Sequence, residues 1–157
     1  MDDLKRLTIE RACENLVNEY ANLLDAYEYD AFINLWAEDA ILDMLGTQHA
    51  GHAGIRRWLE GREPGMICRH LVTNVTTRII DADNAAGSCY TIAFRAQNAL
   101  GHEPGVLTDP TFLVSYRNHF RRDPQRGWLF SRRDVTADLV GAEQMRGLFV
   151  ALKARRA

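Results

Sequence analysis

After Gly65 the chain changes into long runs of alternating apolar and polar residues, and this restricts its fold more than any other feature. Residues 66–81 and 85–99 are two such runs joined by DADN, a turn signal, and they read as a β-hairpin. The Gly- and Pro-rich loop LGHEPGVLTDP leads to a third run, TFLVSYRNHFRR, and the turn DPQRG to a fourth, WLFSRRDVTADL. Long antiparallel strands of this kind need a covering layer, and the first 65 residues supply helices for it. From Leu4 to about Tyr27, the residues Ile9, Cys13, Leu16, Tyr20, Leu23 and Tyr27 recur at helical spacing. Asp30 is expected to cap a short second helix, AFINLWAED; AILDML reads as a strand, and GHAGIRRWLEG as a third short helix between glycines. A final amphipathic helix, AEQMRGLFVALKARR, closes the chain. Helices first and strands afterwards predict a single α+β domain over residues 1–157, with helices against one face of a curved sheet.

Several strands are apolar on both faces, with Tyr90, Ile92 and Phe94 opposed to Cys89, Thr91 and Ala93. Helices cover one face, so the other is expected to meet a second subunit in a homodimer or larger assembly. The formal net charge is −2 with the two signs interspersed, which is no nucleic-acid footprint. Three cysteines, Cys13, Cys68 and Cys89, have neither disulfide-framework nor zinc spacing, and no apolar stretch approaches the length of a membrane span. A reducing, cytoplasmic setting with no membrane contact follows as the expectation.

One face of the first long strand is unusual. In MICRHLVTNVTTRII, alternation puts Cys68, His70, Val72 and Asn74 on the same side, which sets a thiol, an imidazole and an amide where a core face would be apolar. Asp25, near the end of the first helix, shares a flank with Val17 and Ala21 and can face a partly apolar recess. On FLVSYRNHF, the residues Val114, Tyr116 and Asn118 share a face suited to lining a cavity. Arg132 and Arg133 point to opposite faces of the last strand, so one of them can point inward. His49, His52, His102 and His119 sit in loops, beside glycine or at a strand edge, where solvated roles are the simple expectation. No dinucleotide fingerprint and no metal-ligand cluster is present, so no cofactor and no metal are expected.

The order of elements and the phrases YANLLDAYEYDAFINLWAEDA, GHAGIRRWL, CRHLVTNV and GWLFSRRDV resemble the SnoaL-like branch of the nuclear transport factor 2-like superfamily. The resemblance implies a cone-shaped α+β barrel, in which a strongly curved mixed sheet wraps around three N-terminal helices and leaves a deep pocket at one end. Two enzyme types of that superfamily, scytalone dehydratase and hexachlorocyclohexane dehydrochlorinase, carry an Asp and a His at the places of Asp25 and His70. The dehydrochlorinase also resembles this chain at Cys68, Thr73 and Asn74. Tyr20 stands where that enzyme has a lysine, and Arg95 where scytalone dehydratase has a second histidine. An arginine five residues after the tryptophan is frequent in these folds, which favours Arg133 over Arg132 as the inward one.

The resemblance thus implies a cofactor-independent lyase of dehydratase type, acting on a small cyclic or aromatic molecule. Asp25, His70, Tyr20 and Arg133 would be its catalytic groups, and Cys68, Asn74, Arg95, Tyr116, Asn118 and Arg132 its pocket lining. Two alternatives carry different residues or none. NEYANLLDAY also resembles the first helix of ketosteroid isomerase, which would use Tyr20 and Asp43. The chain is similar as well to the non-catalytic β subunit of aromatic-ring hydroxylating dioxygenases, or it serves as a simple ligand-binding protein.

Overall fold

The computed structural model describes residues 1–97 and 110–141. The first helix, α1 (Asp3–Ala26), starts where Asp2 accepts a hydrogen bond from the Lys5 amide at 2.8 Å. It ends where Tyr27 turns into the left-handed region, φ 61°, and caps the Leu23 and Leu24 carbonyls. Its stripe of Ile9, Cys13, Leu16, Val17, Tyr20 and Leu24 is buried, as the helical spacing predicts. A one-turn helix, α2 (Tyr29–Ile33), follows, then strands β1 (Trp36–Met44) and β2 (Thr47–Ala50), helix α3 (Gly51–Glu60), and strands β3 (Met66–Ile79), β4 (Asn84–Gln97), β5 (Phe112–Asp123) and β6 (Gly127–Val140).

The six strands make one mixed sheet in the order β2-β1-β6-β5-β4-β3. β1 lies parallel to β6, and the remaining pairings are antiparallel. This is the expected α+β layer arrangement, with helices packed inside a curved sheet. Two local readings are corrected. The second helix stops at Ile33, and Trp36–Asp39 belong to β1, because Trp36 pairs with Phe130 and buries completely against it. Asp30 lies inside α2, and its carboxylate pairs with Arg56 at 2.6 Å. The final helix expected over AEQMRGLFVALKARR lies outside the described residues.

Tyr20, Phe32, Trp36, Phe120 and Phe130 form an aromatic centre between α1 and the sheet, with Tyr20–Phe32 centroids 4.8 Å apart and Trp36–Phe130 5.0 Å. At Gly87 the strands β3 and β4 approach so closely that a Cβ would stand 2.3 Å from the Thr76 carbonyl oxygen, which leaves room for glycine alone. The close approach adjoins a register shift between Thr73 and Thr76 on β3. Cys13, Cys68 and Cys89 are free and buried. No helix among the described residues is long and apolar enough to cross a membrane.

Candidate active site

β3 is an edge strand, so half of its amides point away from β4 and need a partner elsewhere. The end of α1 provides one. The Asp25 carboxylate accepts from the His70 backbone amide at 2.8 Å through Oδ2, and its Oδ1 lies 2.6 Å from His70 Nδ1. One carboxylate therefore holds both the strand and the imidazole, and the two side chains are only 12% and 8% exposed. A ring held through Nδ1 keeps Nε2 for other chemistry.

Cys68, fully buried on the same strand face, brings Sγ within hydrogen-bond reach of the ring, 3.7 Å from Nδ1 and 3.9 Å from Nε2. Burial alone pushes the His70 imidazole down, but the Asp25 hydrogen bond and the nearby sulfur outweigh it and raise the group to about 9. For Cys68, burial raises the thiol, and the His70 contact and charge reverse this to a net lowering. The Asp25, Cys68 and His70 ligand atoms lie within 4.8 Å of one another and could in principle share a metal. However, the 2.6 Å separation of Asp25 Oδ1 and Nδ1 is that of a hydrogen bond, shorter than the roughly 3 Å that two ligands of one ion keep.

His70 opens onto a cavity of about 580 Å³, the size of a small-molecule site. Leu24, Met44, Trp58, Phe112, Val114 and Val135 give it apolar walls, and Tyr20, Tyr116 and Arg95 also line it, as expected for these three. Six other expected members do not: Cys68 and Asp25, which reach the cavity only through their contacts with His70, and Asn74, Arg132, Arg133 and Asn118. Asn74 adopts φ 54° at the β3 irregularity, where alternation breaks; it is exposed and accepts from Thr73 Oγ1 at 2.9 Å. Arg132 points to the outer face and pairs with Asp134 at 2.6 Å. Arg133 and Asn118 face inward but lie beneath the lining, both completely or almost completely buried, with Arg133 Nε donating to Asn118 Oδ1 at 2.7 Å.

Arg133 is stacked against the rings of Tyr20, Tyr116 and Phe130 at 3.9, 4.4 and 4.4 Å. Its two terminal nitrogens and the Tyr20 hydroxyl have no hydrogen-bond partner among the described residues. Burial pushes the Tyr20 phenol up, and the Arg133 charge only partly offsets this. Asp43 does not line this cavity. Its neighbour Met44 lines the cavity, so Asp43 faces the other way, where it accepts from the Gly46 amide at 2.8 Å and from Gln48 at 3.3 Å. The Tyr20–Asp43 pair needed for an isomerase site does not form.

Periodicity did not reveal the cavity mouth. Tyr27 reaches across from the α1 cap to donate to the Met66 carbonyl at 2.7 Å, and Arg62 lies over its ring at 4.5 Å. Arg57 and Glu63 complete this rim. Of the histidines expected to be solvated, His52 instead sets Nε2 2.9 Å from the Trp36 carbonyl, half-buried.

An α+β domain whose helices and curved mixed sheet hold a polar-tipped cavity between them is the architecture of the nuclear transport factor 2-like, cystatin-like folds. The chain belongs to the SnoaL-like domain family, whose model matches residues 5–134. Among solved structures it is similar to a scytalone dehydratase-like protein of Novosphingobium aromaticivorans, with 17% identity, a TM-score of 0.74, and coverage of 87% of this chain and 89% of that one. A hexachlorocyclohexane dehydrochlorinase, LinA type 2, matches with 19% identity, a TM-score of 0.74, and coverage of 89% and 92%. An NTF2-like protein with a cystatin-like fold, also from N. aromaticivorans, matches with 24% identity, a TM-score of 0.69, and coverage of 91% and 95%. A comparison with curated proteins finds no match.

Proposed function

We propose that this protein is a cofactor-independent lyase of dehydratase type, with a small cyclic or aromatic substrate in the cavity and His70 as its base. The observation that carries this reading is the double hold of Asp25 on His70, through ring and backbone, at the wall of a largely apolar cavity. Neutral His70 takes a proton from carbon at Nε2 and becomes an imidazolium that the Asp25 carboxylate stabilises. The electron pair of the broken C–H bond forms the double bond as the C–O bond breaks. The departing hydroxide recovers the proton from His70 and leaves as water. Asp25 acts through the ring and is a positioning residue. Arg133, behind the rings of Tyr20 and Tyr116, supplies positive potential for the charge that leaves. The similarity in fold to proteins named for dehydration and dehydrochlorination agrees with an elimination.

The test is a screen of small cyclic alcohols and ketones, followed by a pH profile on the substrate found. A base must be neutral, and His70 is raised to about 9, so kcat/KM should climb with pH through neutrality and level off near that value. Asp25→Asn removes the charge that raises it, so the limb should move to lower pH and the plateau should fall. A profile flat from pH 6 to 10 in both proteins would remove His70 from the base role.

The same reading includes a homodimer through the outer sheet face. Leu71, Ile92, Leu113 and Leu139 stand in register across β3, β4, β5 and β6, an apolar row in which Leu71 and Leu139 are 56% and 66% exposed. Light scattering at micromolar concentration should give twice the 17.8 kDa chain mass, and Leu71→Arg should shift it towards the monomer. A monomeric parent protein would sink the dimer.

A further inference from the structure

The cavity carries more positive charge than elimination from a neutral molecule requires. Arg95 stands directly across from Cys68 in the β3–β4 register, so it projects on the concave side, the side of His70. Its guanidinium lies 5.0 Å from the Phe112 ring, itself part of the cavity wall. Arg57, in the last turn of α3, and Arg62, just beyond it, line the same cavity. Arg62 donates to the Leu24 carbonyl at 2.5 Å, which fixes it at the end of α1. Among the described residues, none of these three arginines has a carboxylate within ion-pair distance, whereas Arg56, Arg121 and Arg132 each do. Asp25 is committed to His70 through both oxygens, and among the described residues Glu63 is the only carboxylate residue in the lining. Three cations lining one cavity with apolar walls match a ligand with an apolar body and one anionic end.

Resting on the reading of this cavity as the substrate site, we infer that the substrate is an organic acid. Its carboxylate lies at the mouth among Arg57, Arg62 and Arg95, and its ring packs on Met44, Trp58, Phe112 and Val114 within reach of His70. The cations then select and orient the substrate, while His70 and Asp25 act on the carbon skeleton.

Calorimetric binding of 2-naphthoate, 2-naphthol and 2-naphthamide tests this without any turnover. The carboxylate should bind about tenfold tighter than either neutral analogue or better, as a charge-assisted contact allows, and the advantage should shrink in high salt. In the Arg57→Gln/Arg95→Gln double variant the advantage should vanish, while affinity for 2-naphthol stays close to that of the parent; Arg62 is left in place because it caps α1. Equal or tighter binding of the neutral analogues, an advantage that survives in the double variant, or binding of none of the three probes would overturn the inference. The two readings fail separately. If the carboxylate shows no advantage while His70→Ala abolishes turnover of a neutral substrate, only the organic-acid inference falls. If the advantage holds and His70→Ala turns over normally, the cavity takes acids and His70 is not its base.

Discussion

His70→Ala is expected to lower turnover by about 10²- to 10⁴-fold, the range general-base catalysis supplies, while the protein still folds. The side chain is 8% exposed, but it sits at a cavity wall rather than inside the aromatic centre. Its backbone amide, which ties β3 to Asp25, survives the substitution. The stability change has a definite pH signature. A histidine raised from 6.5 to about 9 by its partners contributes stability that is fully present below pH 6.5 and lost as pH rises through about 9. The parent protein should therefore exceed His70→Ala in urea midpoint at pH 6 by more than it does at pH 10. Full turnover in His70→Ala, with the pH dependence of stability unchanged, would show that the imidazole is neither base nor partner of Asp25.

Much of the fold was legible because it rests on local periodicity. α1, α3 and the four long strands follow from apolar spacing and from the turn residues of DADN and DPQRG. The failures came where a distant contact decides. WAED carries no strand signal of its own; it is a strand because β1 inserts parallel beside β6, some ninety residues later in the chain. β2 is a four-residue edge strand that depends wholly on pairing with β1. At the site, alternation placed Cys68 and His70 on one face, and the structure agrees. The same alternation failed at Asn74, because a register shift with a left-handed residue turns the strand over. That Asp25 meets His70 rather than solvent follows from the exposed amides of an edge strand, which no spacing of residues announces. Arg57 and Arg62 carry no signal in the sequence for a similar reason. A cation near the end of a helix usually suits the helix dipole and solvent, and only the docking of α3 on β1 turns these two towards a cavity.

Arg133→Met should separate stability from function in opposite directions. The guanidinium is completely buried, and beyond Asn118 and three aromatic rings its terminal nitrogens are unpartnered among the described residues. Burying a charge without a counter-charge is costly, and replacing buried ionic groups by apolar side chains of similar volume is often stabilising by about 1–4 kcal/mol. Methionine fills much of the same volume and keeps contact with Tyr20, Tyr116 and Phe130, so the urea midpoint should rise. Turnover should fall. A unit charge acting from behind one ring, over about 8 Å at an effective dielectric of about 20, is worth about 2 kcal/mol, close to a thirtyfold change in rate. A structural arginine would behave otherwise: if its stacking and its bond to Asn118 outweigh the cost of burial, Arg133→Met would unfold at lower urea, and the loss of turnover would follow the loss of folded protein. A higher midpoint with slower turnover is the outcome expected of a cation retained, at a cost in stability, for the potential it places at the inner end of the cavity.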